Sequence, residues 1–245
     1  MTVATIIQAR TGSTRLPGKV LQDISGEPLL AHIVARCDAM TGSDETVVAT
    51  STAGGDDAIA DLGARRGWRV FRGSEADVLD RYVAAARDAG ADHVIRVTAD
   101  CPLVAPDEAD RVIARHLEGG ADYTHNVTVF GGGTPLGTGV EAFTIAALEA
   151  SWRDGHEPHH REHVDEYVAE HPELFRHEVV VASPAVHRPE LRLTIDTPED
   201  MELIRAIYDR LYTPGAIVSL QAAIELLDAH PELLELNRHI KQKTI

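Results

Sequence analysis

The chain is poor in the features that mark secreted, membrane-bound or nucleic-acid-binding proteins. It has two cysteines, Cys37 and Cys101, and no CxxC pair, so a disulfide framework is not expected. No apolar run reaches transmembrane length, and residues 1–10 lack the apolar stretch of a signal peptide. The net charge of −16 excludes a surface that attracts nucleic acid or anionic lipid. We therefore predict a cytoplasmic protein with neither kind of partner.

Aromatic residues are also scarce, at 4% of the chain, although 44% of the residues are hydrophobic. The core must therefore consist mainly of Ala, Val, Leu and Ile, a composition that suits buried strands covered by helices. With 245 residues, the chain is long enough for one domain with an insertion or for two small domains.

Lysine is nearly absent. Three of the 23 basic residues are lysine, and Lys19 is the only one before the C-terminal tail. It lies with Arg10 and Arg15 in a loop rich in Gly, Ser, Thr and Pro. In an acidic protein this loop concentrates positive charge, which suits an anionic small molecule. The alternative interpretation is that the chain generally uses arginine in place of lysine and that Lys19 is retained by chance.

Strand and helix patterns alternate over the first half of the chain. The predicted strands are 3–8, 46–50, 68–71 and 93–97, and the predicted helices are 28–39, 56–66, 75–89 and 106–117. This rhythm indicates an α/β fold with a mostly parallel sheet and helices on both faces. Ligands of such sheets bind beyond the carboxyl ends of the strands, where the loops with Lys19 and Asp100 should meet.

The rhythm breaks after Tyr123, and we interpret residues 124–190 as a small excursion inserted into a single domain. Within it we predict strands at 140–143 and 177–182 and helices at 144–152 and 162–170. Residues 191–195 are then predicted to return as a strand of the sheet. Helices are expected from Thr197, Ser219 and Pro231, the first with a strong cap.

The loop from Gln8 to Lys19 has the composition of a phosphate-binding segment. Gly12 allows close approach of the backbone, Ser13 and Thr14 offer hydroxyl donors, and the three cations neutralise charge. The spacing fits neither a Walker A loop nor a dinucleotide fingerprint. An ordinary basic surface loop is the competing interpretation.

Two aspartates follow predicted strands and are candidate ligands of Mg²⁺. Asp100 follows the strand 93–97, and Asp196 follows the strand 191–195. Mg²⁺ prefers one or two carboxylates together with phosphate oxygens and water. The residues alone leave open whether Asp100 is a turn residue and whether Asp196 is a helix cap.

Seven blocks of the chain resemble the cytidylyltransferase superfamily, above all the spore coat polysaccharide biosynthesis protein F family. The CMP-Kdo and CMP-sialic acid synthetases are related. In order, the blocks are IIQARTGSTRLPGK (6–19), VVATST (47–52), VFRGSEADVLDRY (70–82), VIRVTADCPL (94–103), REHV (161–164), RLTIDTPEDMELI (192–204) and HPELLELN (230–237). They cover nearly the whole chain, and the first and sixth are highly specific.

The resemblance implies a nucleotide-diphospho-sugar transferase (Rossmann-like) fold in one domain, residues 1–245. It also implies a homodimer, with acceptor or dimer contacts from the excursion at about 124–190. The implied activity is Mg²⁺-dependent activation of a sugar or sugar-like acid by CTP, with release of pyrophosphate. The alternatives are another triphosphate such as UTP or GTP, a phosphorylated acceptor, or a non-catalytic nucleotide-binding homologue.

The resemblance assigns site residues as follows. Lys19, Arg10 and Asp100 are the implied catalytic residues, and Asp100 and Asp196 hold the metal. The implied nucleotide-binding residues are Gln8, Ala9, Arg10, Gly12, Ser13, Arg15, Lys19, Thr50, Arg72 and Asp100. For Arg72, and equally for Arg81, a structural ion pair remains the alternative.

The acceptor region departs from the family pattern. Glu141, Arg161 and His163 match it and are the implied acceptor-binding residues, but Leu136 stands where Arg is usual and Gly139 where Asp is usual. We therefore predict an acceptor that differs in charge or shape from an ordinary sugar acid.

Four histidines between residues 156 and 163 raise the possibility of a zinc site, with His159 and His163 four residues apart. No HExxH motif is present, and Pro158 interrupts the segment. A solvated loop that leads into a helix is the interpretation we favour.

Overall fold

The computed structural model describes residues 1–242. Its strands are β1 Val3–Gln8, β2 Asp23–Ile24, β3 Glu27–Pro28, β4 Glu45–Ser51, β5 Arg69–Gly73, β6 His93–Thr98, β7 Tyr123–His125, β8 Glu141–Thr144 and β9 His177–Val179. Seven of them form one sheet in the order β5–β4–β1–β6–β8–β7–β9, and β2 and β3 form a small hairpin.

The helices cover both faces of this sheet. They are α1 Leu29–Asp38, α2 Asp57–Arg66, α3 Val78–Ala89, α4 Pro106–Gly119, α5 Ile145–Asp154, α6 Pro158–Glu162, α7 Glu166–Glu170, α8 Pro198–Leu211 and α9 Leu220–Ala229. Within residues 1–242, no helix has the length and apolar character required to span a bilayer. Cys37 and Cys101 are both free and buried.

Strands β5, β4, β1 and β6 are parallel, as the alternating pattern predicts. Successive residues of β1 enter different cores, because side chains alternate across a strand. Ile7 packs with α1, α4, α8 and α9 on one face. Ile6 packs with α3, α5 and α7 on the other. The predicted α/β fold is confirmed, and the carboxyl ends of all four strands lie at one edge.

The segment 124–190 was expected to leave the sheet, but two of its strands lie within it. β8 pairs antiparallel with β6 and β7, and β9 adds in parallel to the far side of β7. Strands were predicted at 140–143 and 177–182, but such short segments do not reveal which strands they pair with, and Tyr123–His125 was not predicted at all. The α5–α7 part does pack outside the sheet, against α3.

Two further expectations about this region were wrong. Residues 191–195 form no strand of the sheet, since they contribute a single bridge between Leu136 and Arg192. Their alternation reflects burial of Leu191, Leu193 and Ile195 in the core rather than strand pairing. The predicted helix 162–170 is not continuous, because α6 ends at Glu162 and α7 covers only Glu166–Glu170, after the cap residue Asp165.

The start of α8 is built around one buried carboxylate. Asp200 accepts hydrogen bonds from the backbone N–H groups of Asp196 and Thr197 at 3.0 and 3.1 Å. Arg192 donates one hydrogen bond to each of the two carboxylate oxygens of Asp200, both at 2.9 Å. Asn237 donates to it at 3.0 Å. Burial alone would raise the pKa of Asp200, but the bonds from Arg192 and Asn237 hold it below its usual value. Asp200 therefore determines where Asp196 points.

We predict that Asp200→Asn lowers the free energy of unfolding by about 3 kcal/mol, because Arg192 loses a buried ionic partner. Since the native pKa of Asp200 is depressed, its contribution is full at neutral pH and disappears as the pH falls through that value. Urea unfolding at pH 7 and in mild acid measures both effects. Glu199→Gln, at a partly exposed neighbour on the same helix, should change stability by less than about 0.5 kcal/mol. Equal stability of wild type and Asp200→Asn at pH 7 would contradict this account.

Candidate active site

The ammonium group of Lys19 joins three parts of the chain at the carboxyl edge of the sheet. Lys19 Nζ lies 3.0 Å from Asp100 Oδ2 and 3.4 Å from Asp196 Oδ1, and it donates to the Ile195 carbonyl at 2.5 Å. The side chain is buried although it is charged. The structure therefore brings the predicted Lys19, Asp100 and Asp196 into direct contact, and we refer to this group and its surroundings as the cleft.

The neighbouring backbone directs these groups. Gly18 adopts φ +69°, a left-handed conformation that suits glycine, and starts a tight turn at 19–21. Asp100 follows β6 and accepts the Thr98 hydroxyl at 2.6 Å. Burial opposes the charge of Asp100, yet Lys19 and Thr98 hold its pKa below the usual value. Asp100 therefore stays ionised at neutral pH.

Asp196 is surrounded by cations. Arg15 approaches its Oδ1 at 3.0 Å, and Arg192 approaches its Oδ2 at 2.9 Å. Arg192 also pairs with Asp200, so it holds Asp196 between the phosphate loop and helix α8. Arg192 was not among the predicted site residues. Its position four residues before Asp196, at the start of the sixth resemblance block, was the available signal.

The two carboxylates fit a magnesium ion by their chemistry. Both offer the hard oxygen donors that Mg²⁺ prefers. The Lys19 ammonium contacts both of them, so one cation already bridges the two carboxylates. A metal bound there would compete with Lys19 for the same oxygens.

A buried carboxylate that was not predicted fixes the phosphate loop. Asp56 accepts the backbone N–H and the hydroxyl of Thr11, both at 2.7 Å, and the Ser51 hydroxyl at 2.5 Å. Burial favours the neutral acid, but these bonds lower the pKa of Asp56 below its usual value. Asp56 thus ties the loop to the end of β4. Nothing in the Gly-Gly-Asp-Asp stretch distinguishes it from a surface acid.

The other predicted loop residues play unequal parts. Gln8 ends β1, and its buried Oε1 has no hydrogen-bond partner among residues 1–242. The N–H of Ala9 donates to the carbonyl of Ala49 at 3.1 Å, so this N–H cannot bind a phosphate. Arg10 is exposed and lies 3.5 Å from Glu162. Gly12 is exposed, and Ser13 Oγ accepts the N–H of Leu16 at 3.3 Å.

Thr50 and Arg72 are not brought into this cleft by any contact. Thr50 is fully buried in β4. Arg72 donates to the carbonyls of Ser51 and Ala53 at 3.0 and 3.2 Å and pairs with Asp57 at 2.7 Å. These contacts match the structural alternative for Arg72. They leave nucleotide binding by either residue a prediction.

The three predicted acceptor residues are separated. Glu141 is buried in β8, where it pairs with Arg96 of β6 and accepts the Tyr123 hydroxyl at 2.5 Å. Arg161 binds Asp77 at 2.8 and 2.5 Å and donates to the carbonyl of Trp152 at 2.7 Å. These contacts tie α6 to α3.

His163 caps the end of α6 and is partly buried. Of the three predicted acceptor residues, Glu141 alone lies on the sheet, whereas the end of α6 contacts the loop through Arg10 and Glu162.

The departure at residue 139 has a steric cause. A side chain at Gly139 would place its Cβ 2.8 Å from Asn126 Oδ1 and 2.9 Å from Thr134 Oγ1. Asn126 cannot easily give way, because it is buried and accepts the N–H of Val140 at 2.8 Å. Leu136 is anchored through its backbone to residues 191 and 193. Neither position supplies the charge of the family pattern.

The histidine-rich segment forms a hydrogen-bonded group. His159 and His160 contact the two oxygens of Glu170 at 2.9 and 2.8 Å, and the three side chains are close enough to share a metal. However, His160 Nδ1 accepts the N–H of Glu157 at 3.3 Å, so the ring proton lies on Nε2 and faces Glu170. A zinc ligand needs that nitrogen deprotonated. His163 is not part of the group.

The fold and cleft define a nucleotide-binding α/β class: a mostly parallel sheet with cations and carboxylates beyond its strand ends. Comparison with known sequences makes this specific. Residues 4–232 match the model of the cytidylyltransferase family. The chain belongs to this family of CTP-dependent nucleotidyltransferases.

Individual relatives agree. Spore coat polysaccharide biosynthesis protein SpsF of Bacillus subtilis is 38% identical over 232 residues, which is 93% of this chain and 94% of that protein. A 3-deoxy-manno-octulosonate cytidylyltransferase of Anaeromyxobacter dehalogenans is 38% identical over 121 residues, 49% of this chain and 48% of that protein. The solved cytidylyltransferase of Leptospira borgpetersenii superposes with a TM-score of 0.89 at 30% identity, covering 99% of this chain and all of that one.

We predict that Asp56→Ala weakens CTP binding about tenfold, a loss of about 1.4 kcal/mol, because Thr11 and the loop lose their anchor. Calorimetric titration with CTP measures the change. Stability should fall by about 1 to 3 kcal/mol, since three donors lose their acceptor. Asp61→Asn, an exposed change on the same helix, is the control and should leave both quantities unaltered. Wild-type CTP affinity in Asp56→Ala would contradict the proposed clamp.

Proposed function

We propose that this cytidylyltransferase is a Mg²⁺-dependent enzyme that transfers CMP from CTP to a hydroxyl group of a sugar or sugar-like acid. The observation that carries the proposal is the single cleft in which Lys19 contacts both Asp100 and Asp196, with Arg15 beside them. A triphosphate and its metal require this combination of cations and carboxylates.

In the proposed reaction, the acceptor hydroxyl attacks the α-phosphorus of CTP. A new P–O bond forms, the bond to the β-phosphate oxygen breaks, and pyrophosphate leaves while the hydroxyl proton passes to solvent. Arg10, Arg15 and Lys19 stabilise the charge that develops on pyrophosphate. Asp100 and Asp196 would hold the Mg²⁺, which neutralises phosphate charge and acidifies the hydroxyl.

The names of the relatives support the class of acceptor. One acts in spore coat polysaccharide biosynthesis and another on 3-deoxy-manno-octulosonate, a sugar acid. CTP as the donor follows from the family, and stabilisation by each of the four triphosphates, with and without Mg²⁺, tests both the donor and the metal.

We also propose a cytoplasmic homodimer. Two buried, unpaired cysteines are compatible with a reducing compartment. Val179 and Val181 are 44% and 56% exposed at the β9 edge of the sheet, and Val129 is 66% exposed. Exposed apolar side chains at a sheet edge favour a contact between copies. The molar mass in solution, by light scattering, tests this assembly.

We predict that Lys19→Ala and Asp100→Ala each slow pyrophosphate release from CTP by about 10²- to 10³-fold, because each removes a charge that faces the phosphates. A coupled pyrophosphate assay over a panel of sugar acids measures the rate. Lys241→Ala removes the same kind of side chain from the exposed tail and should keep the wild-type rate. Near wild-type turnover in either cleft variant would overturn the assignment, provided circular dichroism shows that both are folded.

A further inference from the structure

A row of polar side chains crosses one face of the sheet beside the cleft. Arg96 of β6 lies directly opposite Glu141 of β8, and Glu141 lies opposite His125 of β7. Directly paired residues project from the same face. The adjacent pair on this face, Val94 and Phe143, belongs to the apolar core, so the row marks where this core gives way to a polar wall.

Only one side of the Arg96 guanidinium group has partners within this row. Its Nη1 pairs with Glu141 Oε2 and lies 3.4 Å from Asp165 Oδ1. Its Nε is buried without a hydrogen-bond partner, and Nη2 makes no hydrogen bond within the described part of the chain. Nε and Nη2 form one edge of the planar guanidinium group, the edge that binds a carboxylate with two parallel hydrogen bonds.

Unpaired buried polar atoms occur on the strands that carry this row and on their neighbours β1 and β9, whereas Thr50 Oγ1 of β4 and Arg81 Nε of α3 lie elsewhere. A buried polar group without a partner is destabilising, so several together indicate a polar ligand. Besides Arg96 Nε, the atoms that lack partners among residues 1–242 include Gln8 Oε1, His125 Nδ1, Asn126 Nδ2 and His177 Nε2. They include acceptors and donors, as a polyhydroxylated molecule requires.

The row leads directly to Asp100. Thr98 is two residues beyond Arg96 on the same face of β6, about 7 Å along the strand. Its hydroxyl donates to Asp100 Oδ1 at 2.6 Å. An acceptor that is held at Arg96 therefore has the metal ligands one strand pleat away.

We propose that the open Nε/Nη2 edge of Arg96 binds the carboxylate of the acceptor, so that Arg96 determines specificity for sugar acids. The inference rests on the proposed function. Arg96 supplies the positive charge that the family pattern has at position 136, where this chain has Leu136. Arg161 cannot take this role, because its donors are already bonded to Asp77 and to the carbonyl of Trp152. The acceptor is then an acid, and any departure from common sugar acids lies in its shape.

Glu141 and Asp165 act as positioning residues for Arg96. They fix its guanidinium group through Nη1 and leave the other edge open. Burial raises the pKa of Glu141 to about 7, although Arg96 opposes this shift. Glu141 can therefore take up a proton when a further carboxylate arrives, which relieves the repulsion between like charges.

The test compares 3-deoxy-manno-octulosonate and N-acetylneuraminate with their methyl esters, which keep the shape and lose the charge. Binding is measured by calorimetric titration, and turnover by pyrophosphate release from CTP. We expect at least one acid to bind and react about 10- to 100-fold better than its ester. In Arg96→Lys, the KM for that acid should rise about tenfold and the acid-to-ester ratio should fall towards one, with the KM for CTP unchanged.

Arg36→Lys is the matched control. Arg36 is also buried, but it donates to the carbonyls of Val104 and Val218 away from the cleft, so its variant should keep the acid-to-ester ratio. A purely structural role of Arg96 would alter the KM for CTP and the melting temperature and leave that ratio intact. The inference is overturned if esters match acids, if Arg96→Lys keeps the ratio, or if no acid binds. Acid binding that depends on Arg96, without pyrophosphate release under any condition, would overturn the proposed reaction alone.

Discussion

The buried ammonium of Lys19 is the interaction on which the cleft depends. It joins residues 81 and 176 positions apart in sequence, because Asp100 and Ile195 are both within hydrogen-bond distance. A buried cation is tolerated only when its partners are in place. The phosphate loop, the end of β6 and the segment before α8 must therefore assemble together. The segment before α8, which forms no strand of the sheet, presents Ile195 O and Asp196 to Lys19.

The two halves of the sheet supply different chemistry. The parallel strands β5, β4, β1 and β6 end at one edge, and their loops bring Arg15, Lys19 and Asp100 together. Beyond β6 the direction reverses, and β8 and β7 add Glu141 and His125 to the face next to Asp100. Changes in strand direction and order are common locations for ligand sites in α/β sheets. Here the change separates the cationic loop around Lys19 from the polar row on β6, β8 and β7.

The abundance of arginine has a structural explanation. Several guanidinium groups act as internal ties, because a planar group with five donors can bridge carbonyls and carboxylates at once. Arg36, Arg72 and Arg161 are used in this way. Lys19 differs, since its compact ammonium fits between two carboxylates and a carbonyl. The one lysine before the tail is therefore chemically distinct from the arginines around it.

By itself, the sequence determined the parallel α/β core, and it singled out the loop 8–19 and Lys19, Asp100 and Asp196 as a candidate set. These features rest on local patterns: alternating strands and helices, glycines with cations, and acids after strands. Only the tertiary structure showed that Asp56 clamps the loop and that Arg192 holds Asp196. It also showed that residues 141–144 enter the sheet and that Arg96 keeps one edge free. An arginine serves the structure when all its donors are bonded within the protein, and it can bind a ligand when some donors stay unpaired. Its bonding partners come from residues distant in sequence, so only the tertiary structure distinguishes the two cases.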